Sequence, residues 1–176
     1  FMPWFLKIIE RADGRVKSSI LYSSYHIFKD RPQRERDQVV NILEQSLQGE
    51  VDYKVLETCD FLIQDAKHWN LQDEDLEKIR KRLFEIIRDI PNLDHHTDNL
   101  LGFAINGDLD KFINLLEYRF KKQSEYHKRG KILDYHAIPF NGFSSAKGLI
   151  RTYEDFVKLM EKVNTWSNEG LLSTLS

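Results

Sequence analysis

The chain has 176 residues, of which 41% are hydrophobic, 31% charged and 12% aromatic. This length suits one domain, and so many aromatic residues exclude a disordered tail. With 26 basic and 28 acidic residues, the net charge of -2 argues against general nucleic-acid binding through phosphates, which uses a basic excess.

The first three predicted elements are helices whose apolar residues recur three and four positions apart. Pro3 opens the first helix and Gly14 ends it. The second spans about 15–28, and the third follows Pro32 and closes at Gly49. The residues expected to face the core are Trp4, Phe5, Ile8, Ile9 and Ala12, then Val16, Ile20, Ser23, Ser24 and Ile27, then Val39, Val40, Leu43 and Leu47.

The fourth helix is predicted over about 53–69, and the fifth from Asp73 until Pro91 stops it. Acidic residues in the first turn of the fifth favour the positive end of the helix dipole. Cys59, mid-helix in the fourth, is expected to be a buried apolar side chain in a protein of a reducing compartment. The expected core residues are Val55, Leu56, Cys59, Leu62, Ile63, Ala66 and Trp69, then Leu76, Ile79, Leu83, Ile86, Ile87 and Ile90.

The sixth and seventh helices begin with aspartate caps. Asp94 is the expected N-cap of the sixth helix, which Asn106 and Gly107 end, and Asp108 caps the seventh. The seventh has the clearest apolar periodicity and is predicted to end near Lys122, with basic residues in its last turn. The expected core residues are Leu100, Leu101, Ala104 and Ile105, then Leu109, Phe112, Ile113, Leu116 and Phe120.

Helical periodicity stops over 123–142, where we predict an irregular loop with an extended segment. The first half of this loop is expected to be exposed and mobile. The second half, about 132–140, should pack along neighbouring helices, with Tyr135, Ile138 and Phe140 as apolar anchors.

Residues 143–176 are predicted to form a C-terminal helical part. The inner face of its one strong helix is expected to consist of Tyr153, Phe156, Val157, Met160, Val163 and Trp166. Strand alternation is absent along the sequence, so the fold class is all-α. Because helix pairs recur about every 36 to 40 residues, we expect 1–176 to form a single helical-repeat domain of antiparallel helix pairs, stacked as a HEAT-like α-solenoid. An irregular helical bundle is the alternative.

The sequence also bears on location. No apolar run approaches the roughly 18 residues that span a membrane, and the start is too short and too soon charged for a secretory signal. We therefore expect a cytoplasmic protein with no membrane partner. Because Phe1 precedes Met2, we expect a fragment of a longer chain.

No catalytic, cofactor-binding or metal-binding residue is predicted. His95 and Asp98 are three apart and could share one metal, but further ligands lack a recognisable spacing, and a capped helix start explains both. The glycines Gly102 and Gly107 have phosphate-loop spacing, yet Asp108 stands near the position of the required lysine, and a helix precedes them. A metal-dependent helical enzyme using His95 and Asp98 is kept as a second alternative function.

A basic segment is the best candidate for partner binding. Residues 121–131 include five basic residues and one acidic residue, Glu125, with Tyr126 and His127 between them. Such segments bind protein partners, and basic residues beside aromatics can also meet nucleic acid. The predicted partner-binding residues are Lys121, Lys122, Tyr126, Lys128, Arg129 and Lys131. A protein, or another domain of the parent chain, is the expected partner, with nucleic acid as the less favoured alternative.

Two stretches carry a family resemblance. One runs from Leu100 through Asp108 to Arg119, and the other is 135–140, followed by the helix that ends in Trp166. Over about 94–166 they resemble the helical-repeat regions found C-terminal to large prokaryotic signal-transduction NTPases of the STAND type. The resemblance implies a non-enzymatic helical array that senses a partner or restrains the NTPase. The NTPase motifs themselves are absent here, as fits a fragment.

Overall fold

The computed structural model describes residues 2–65, 73–131, 134–139, 142–143 and 146–174. Within these ranges the regular elements are helices and no strand is formed, which confirms the all-α prediction. The helices are α1 (Met2–Arg11), α2 (Gly14–Phe28), α3 (Gln33–Ser46), α4 (Tyr53–Gln64), α5 (Asp73–Ile87), α6 (His95–Ile105), α7 (Leu109–Lys128), α8 (Tyr153–Asn168) and a short 3-10 helix (Leu171–Thr174).

The chain divides into two compact units, residues 1–83 and 84–176, with the boundary inside α5. Each unit buries apolar side chains from several helices, and those with no exposed surface include Leu21, Leu47 and Leu62 in the first unit and Leu100 and Leu101 in the second. The expectation of one repeat domain over 1–176 stays a prediction.

In the first unit α2 packs against α1, α3 and α4. The predicted inner face of α2 is confirmed at Ser24 and wrong at Val16 and Ile27, which are 43% and 55% exposed. The core contacts are made instead by Leu21 and Tyr25, which are 0% and 1% exposed. Both faces of this helix carry apolar residues, so periodicity alone does not choose between them. The buried Ser24 lies between Leu21 and Tyr25 on the packed side.

Other expectations for the first unit vary in outcome. In α1, Ile9 is fully buried as expected, but Trp4 is 62% exposed, which corrects its assignment to the core. Eight residues of α3, its C-cap and α4 that were predicted to lie in the core are buried. They are Val39, Val40, Leu43, Leu47, Val55, Leu56, Cys59 and Leu62. Ala66 and Trp69, also expected in the core, lie outside the described residues.

The second unit begins its helices as the sequence predicts. The Asp94 side chain accepts a hydrogen bond from the Thr97 backbone, and the Thr97 side chain accepts one from the Asp94 backbone in return, which makes a capping box at α6. Asp108 accepts from the Lys111 backbone at the start of α7, and Asn106 ends α6 in the left-handed conformation. The starts of α6 and α7 are therefore predicted correctly from the sequence.

The end of α7 corrects the predicted loop. The helix continues through Lys128, six residues past the predicted end at Lys122, so residues 123–128 are helical rather than irregular. The apolar periodicity fails in this last part because the side chains that pack there are polar or amphipathic, namely the buried Gln123 and the half-buried Tyr126.

Helices α7 and α8 run parallel. Lys158 pairs with Asp110 and Lys162 with Glu117, and the Trp166 ring meets the Phe120 ring edge to face at 5.3 Å. The residue numbers rise together along both helices, which an antiparallel pair would not allow. A parallel pair needs a connection long enough to return along the helix, and 129–152 supplies it.

The predicted inner face of α8 is confirmed at Trp166 and wrong at Tyr153, Phe156 and Met160, while Val157 and Val163 are half-buried. Trp166 is 1% exposed, but Tyr153, Phe156 and Met160 are 76%, 47% and 46% exposed. Because Lys158 and Lys162 pair with acids of α7, their side of α8 faces α7 and turns the aromatic side to solvent.

Candidate partner-binding surfaces of the second unit

The six predicted partner-binding residues separate into two groups. Lys121 pairs with Glu117, Lys122 pairs with Asp89, and the Tyr126 ring lies 5.4 Å from the Tyr135 ring. These three side chains contribute to contacts within the second unit.

The other three cations form an exposed group at the C-terminal end of α7, hereafter the basic group: Lys128, Arg129 and Lys131. Each is exposed, and none forms an ion pair with another residue in the described part of the chain. Positive charge at this end of a helix also suits its dipole. Partner binding by the six residues stays a prediction, and these three are the ones that are exposed and without an ion pair in the described part of the chain.

Buried Arg119 links the segment that follows α7 to the rest of the unit. Its side chain is fully buried, and its guanidinium donates hydrogen bonds of 2.6–3.3 Å to five backbone carbonyl oxygens. The acceptors belong to Arg88, Ile90, Pro91, His136 and Ala137. A planar guanidinium with five N–H groups can serve this many acceptors, which an ammonium cannot.

Further contacts hold the segment 134–139 against α7 and the end of α5. The Ala137 backbone N–H donates to the Gln123 side chain at 2.6 Å, and the His136 N–H donates to the Pro91 carbonyl at 3.1 Å. The Tyr135 hydroxyl donates to the Arg88 carbonyl at 3.2 Å. The prediction that this segment packs along neighbouring helices is therefore confirmed for 134–139.

Its apolar anchors differ in part from those predicted. Tyr135 is fully buried as expected, but Ile138 is 37% exposed, and Ala137 is the second buried residue. The predicted anchor Phe140 lies outside the described residues, as do residues 132 and 133.

Sequence reasoning missed Arg119 and Gln123, although a signal was present. Both continue the apolar stripe of Phe112 and Leu116 at helical spacing, so they lie on the core side of α7. A polar residue on a core stripe indicates a buried hydrogen-bond network when backbone carbonyls are close by.

A second surface lies on α8. We call Tyr153, Phe156 and Met160 the α8 stripe, because their spacing of three and four places them on one side of the helix. All three are exposed, and Val157 and Val163 beside them are half-buried. Aromatic residues and methionine are enriched where proteins bind one another.

The candidate metal ligands are not brought together. His95 is exposed and lies 3.3 Å from the Asn99 side chain, whereas Asp98 is buried at 5% exposure, so the two do not share an open face. Across the described ranges, no three His, Cys, Asp or Glu side chains are grouped so that they could hold one metal ion.

Cys59 is fully buried in the first unit, as the sequence predicts. Burial, assisted by the nearby Asp60 charge, raises the pKa of its thiol far above the ordinary value. The side chain therefore stays a neutral thiol, inert as a nucleophile.

Cavities lie in both units. One of about 540 Å³ in the first unit is lined by Tyr25 and by charged residues of both signs: Lys29, Asp30, Arg31, Arg36 and Asp65. A smaller cavity of about 310 Å³ borders the segment 134–139 of the second unit, beside His136 and Pro139. Neither combines a nucleophile with a base in the manner of a hydrolytic site.

None of the helices in the described part of the chain is both long enough and apolar enough to cross a membrane. The sequence matches no protein-family model, and neither the curated proteins nor the solved structures contain a significant match to it.

Proposed function

We propose that this protein is a non-enzymatic interaction module whose helices present a binding surface for another protein or another domain. The observation that carries the proposal is the α8 stripe, where Tyr153 is 76% exposed and Phe156 and Met160 are each nearly half exposed. Such side chains lose their contact with water when a partner covers them, and that loss drives association.

The use of the buried polar groups supports a scaffold rather than a catalyst. Arg119, the most deeply buried cation in the described part, directs its donors to backbone carbonyls. Gln123 accepts from a backbone N–H in the same network. These groups stabilise the packing of the second unit and do not point to a substrate.

We further propose that the helices belong to a HEAT-like stack, in the manner of the helical-repeat regions of STAND-type NTPases. Support comes from the first unit, where α1 packs against α3 and α2 packs against α4, because contacts between every second helix are what stacked helix pairs form. The parallel course of the consecutive helices α7 and α8 departs from the antiparallel pairs that the sequence predicted. A stack of this kind gives partners a long surface, as a sensor or scaffold requires.

Site-specific photo-crosslinking tests the function. A photoreactive residue at position 156 should capture a protein that is then purified, and its dissociation constant for the unmodified chain should be measured by calorimetry. We expect Phe156→Ser to weaken this binding at least tenfold, because truncation of a central aromatic anchor commonly costs about 2 kcal/mol or more.

The matched control is Ile27→Ser, which removes an exposed aliphatic side chain, 55% accessible, from the first unit. This variant should bind like the unmodified protein. Equal affinity of the Phe156→Ser variant for the purified partner would contradict the proposed role of the α8 stripe.

The nucleic-acid alternative rests on the basic group, Lys128, Arg129 and Lys131. Three phosphate contacts give a slope of log affinity against log salt of about -2 to -3. Fluorescence anisotropy with single-stranded and double-stranded oligonucleotides measures it. Binding with that slope, lost when the three residues become alanine, would favour this alternative over a protein partner.

A further inference from the structure

Two acids of α8 lie apart from its cations, while the third, Asp155, accepts hydrogen bonds from the Arg151 and Thr152 backbone at the start of the helix. Its cations Lys158 and Lys162 pair with Asp110 and Glu117 of α7. The acids Glu154 and Glu161 are exposed, and neither forms an ion pair within the described part of the chain. The side of the helix that carries the α8 stripe therefore also carries two acids without an ion pair in the described part of the chain.

The two acids border the α8 stripe. Glu154 and Glu161 are seven positions apart, which is close to two helical turns, so they lie on one side of the helix and next to Tyr153 and Met160. Each acid thus stands about 10 Å along the axis from the other, on the same edge of the apolar surface.

The shape of the stripe suits another helix. Apolar side chains at 153, 156 and 160 follow the alternating spacing of three and four by which side chains of one helix insert between those of a neighbouring helix. The hydrogen bonds of the α8 backbone are made within the helix, so an extended strand would find no edge to pair with.

We infer that the α8 stripe binds an amphipathic helix with a basic flank, an inference that rests on the proposed function. The partner helix carries apolar residues at helical spacing and two lysines or arginines seven positions apart along one border of them. The apolar faces supply most of the affinity, and the opposite charges fix the alignment of the two helices.

Two synthetic helical peptides with the same apolar face test this inference. One carries two lysines seven positions apart on its flank, and the other carries two glutamates there. Fluorescence anisotropy with the full chain at low salt should show the lysine peptide binding about tenfold more tightly. The difference should shrink at high salt because surface charges are screened.

Reversing the two charges on the protein tests whether Glu154 and Glu161 cause the preference for the lysine peptide. The double variant Glu154→Lys with Glu161→Lys should reverse the preference and bind the glutamate peptide more tightly. The control, Glu10→Lys with Glu50→Lys, makes the same change in net charge at exposed positions of the first unit and should leave the preference unchanged. An equal reversal by the control would show that net charge alone decides, and would overturn the inference.

The outcomes separate this inference from the proposed function. If both peptides bind equally and Phe156→Ser abolishes both, the stripe is an interaction site but the partner's basic flank is wrong. If neither peptide binds, the inference is overturned, while the crosslinking experiment at position 156 decides the proposed function by itself. Because Phe156 is an exposed side chain, its serine variant should keep the helical circular dichroism of the parent.

Discussion

The guanidinium of Arg119 lies 4.9 Å from the centre of the Tyr135 ring, and both side chains are fully buried. Burial lowers the pKa of Arg119 and raises the pKa of Tyr135 to about 12, although the Arg119 charge acts against the second shift. Tyr135 therefore stays neutral and presents a ring face to a cation from which water is largely removed. This pair joins α7 to the end of α5 and to the segment 134–139.

Replacing Arg119 should destabilise the second unit strongly. Arg119→Lys offers at most three donors to five carbonyl oxygens and loses the planar fork, so we expect it to cost about 2–4 kcal/mol. Arg119→Met should cost at least as much, because it leaves the same carbonyls buried without donors. Hydrogen exchange of the α7 amides in the full chain measures both effects.

The control is Arg129→Lys, a conservative change at an exposed position, which should alter exchange by less than about 0.5 kcal/mol. Exchange in the Arg119→Lys variant equal to that of the parent would mean that the five hydrogen bonds contribute nothing to holding the segment.

The helices themselves could be predicted because the residues that cap a helix and the apolar residues that repeat along it lie close together in the sequence. Asp94 and Asp108 act as the caps that the sequence indicates, and the apolar residues of α3 are buried as expected. The choice of buried face is not local. In α2 and α8 more than one side is apolar, and only the packing partner decides which is covered.

For the candidate surfaces, too, the sequence does not show which side chains are covered by residues far away in the chain. Charge alone singled out Lys121 and Lys122, yet the acids that pair with them include Asp89, which is 33 residues away from Lys122 in sequence. The α8 stripe was predicted as core because a solvent-facing aromatic row has the same periodicity as a buried one. Its exposure becomes visible only with the ion pairs that orient α8.

The corrected face of α2 can be tested with two substitutions. Leu21→Ala removes a fully buried side chain and should cost about 2–5 kcal/mol, whereas Ile27→Ala removes one that is 55% exposed and should change stability by less than about 0.5 kcal/mol. Urea denaturation of the full chain, followed by circular dichroism, compares them. The reverse order would restore the face that the sequence predicted.

Trypsin should cut first at the basic group, after Lys128, Arg129 or Lys131. These residues are exposed where α7 ends, and Gly130 follows the helix with a positive φ of 73°. By contrast Lys121 and Lys122 lie inside α7 and pair with acids, so their peptide bonds require helix opening before cleavage. Mass spectrometry of early digests identifies the site, and faster cleavage at Lys121 or Lys122 would contradict the helical end of α7.

The stability contributed by Asp89 should depend on pH. Partial burial acts to raise the pKa of this carboxyl, but hydrogen bonds from Lys122 and from the Tyr118 hydroxyl at 2.5 Å outweigh it and hold the pKa below 3.8. Because the pKa is lower in the folded state than in the unfolded state, the charged carboxylate stabilises the fold at pH values above the pKa of the unfolded state. This stabilisation is lost as the pH falls through the lowered value.

Asp89→Asn should therefore be less stable than the parent at pH 7, and the two should converge as the pH falls from 3.8 through the lowered pKa. The side chain is 45% exposed, so solvent screening limits the difference at pH 7 to about 1 kcal/mol or less. Urea denaturation at several pH values measures it, with Asp134→Asn as a control that removes an exposed carboxylate without an ion pair in the described part of the chain. A difference that widened on acidification would mean that Asp89 is stabilised in its protonated form, against the hydrogen bonds that Lys122 and Tyr118 donate to it.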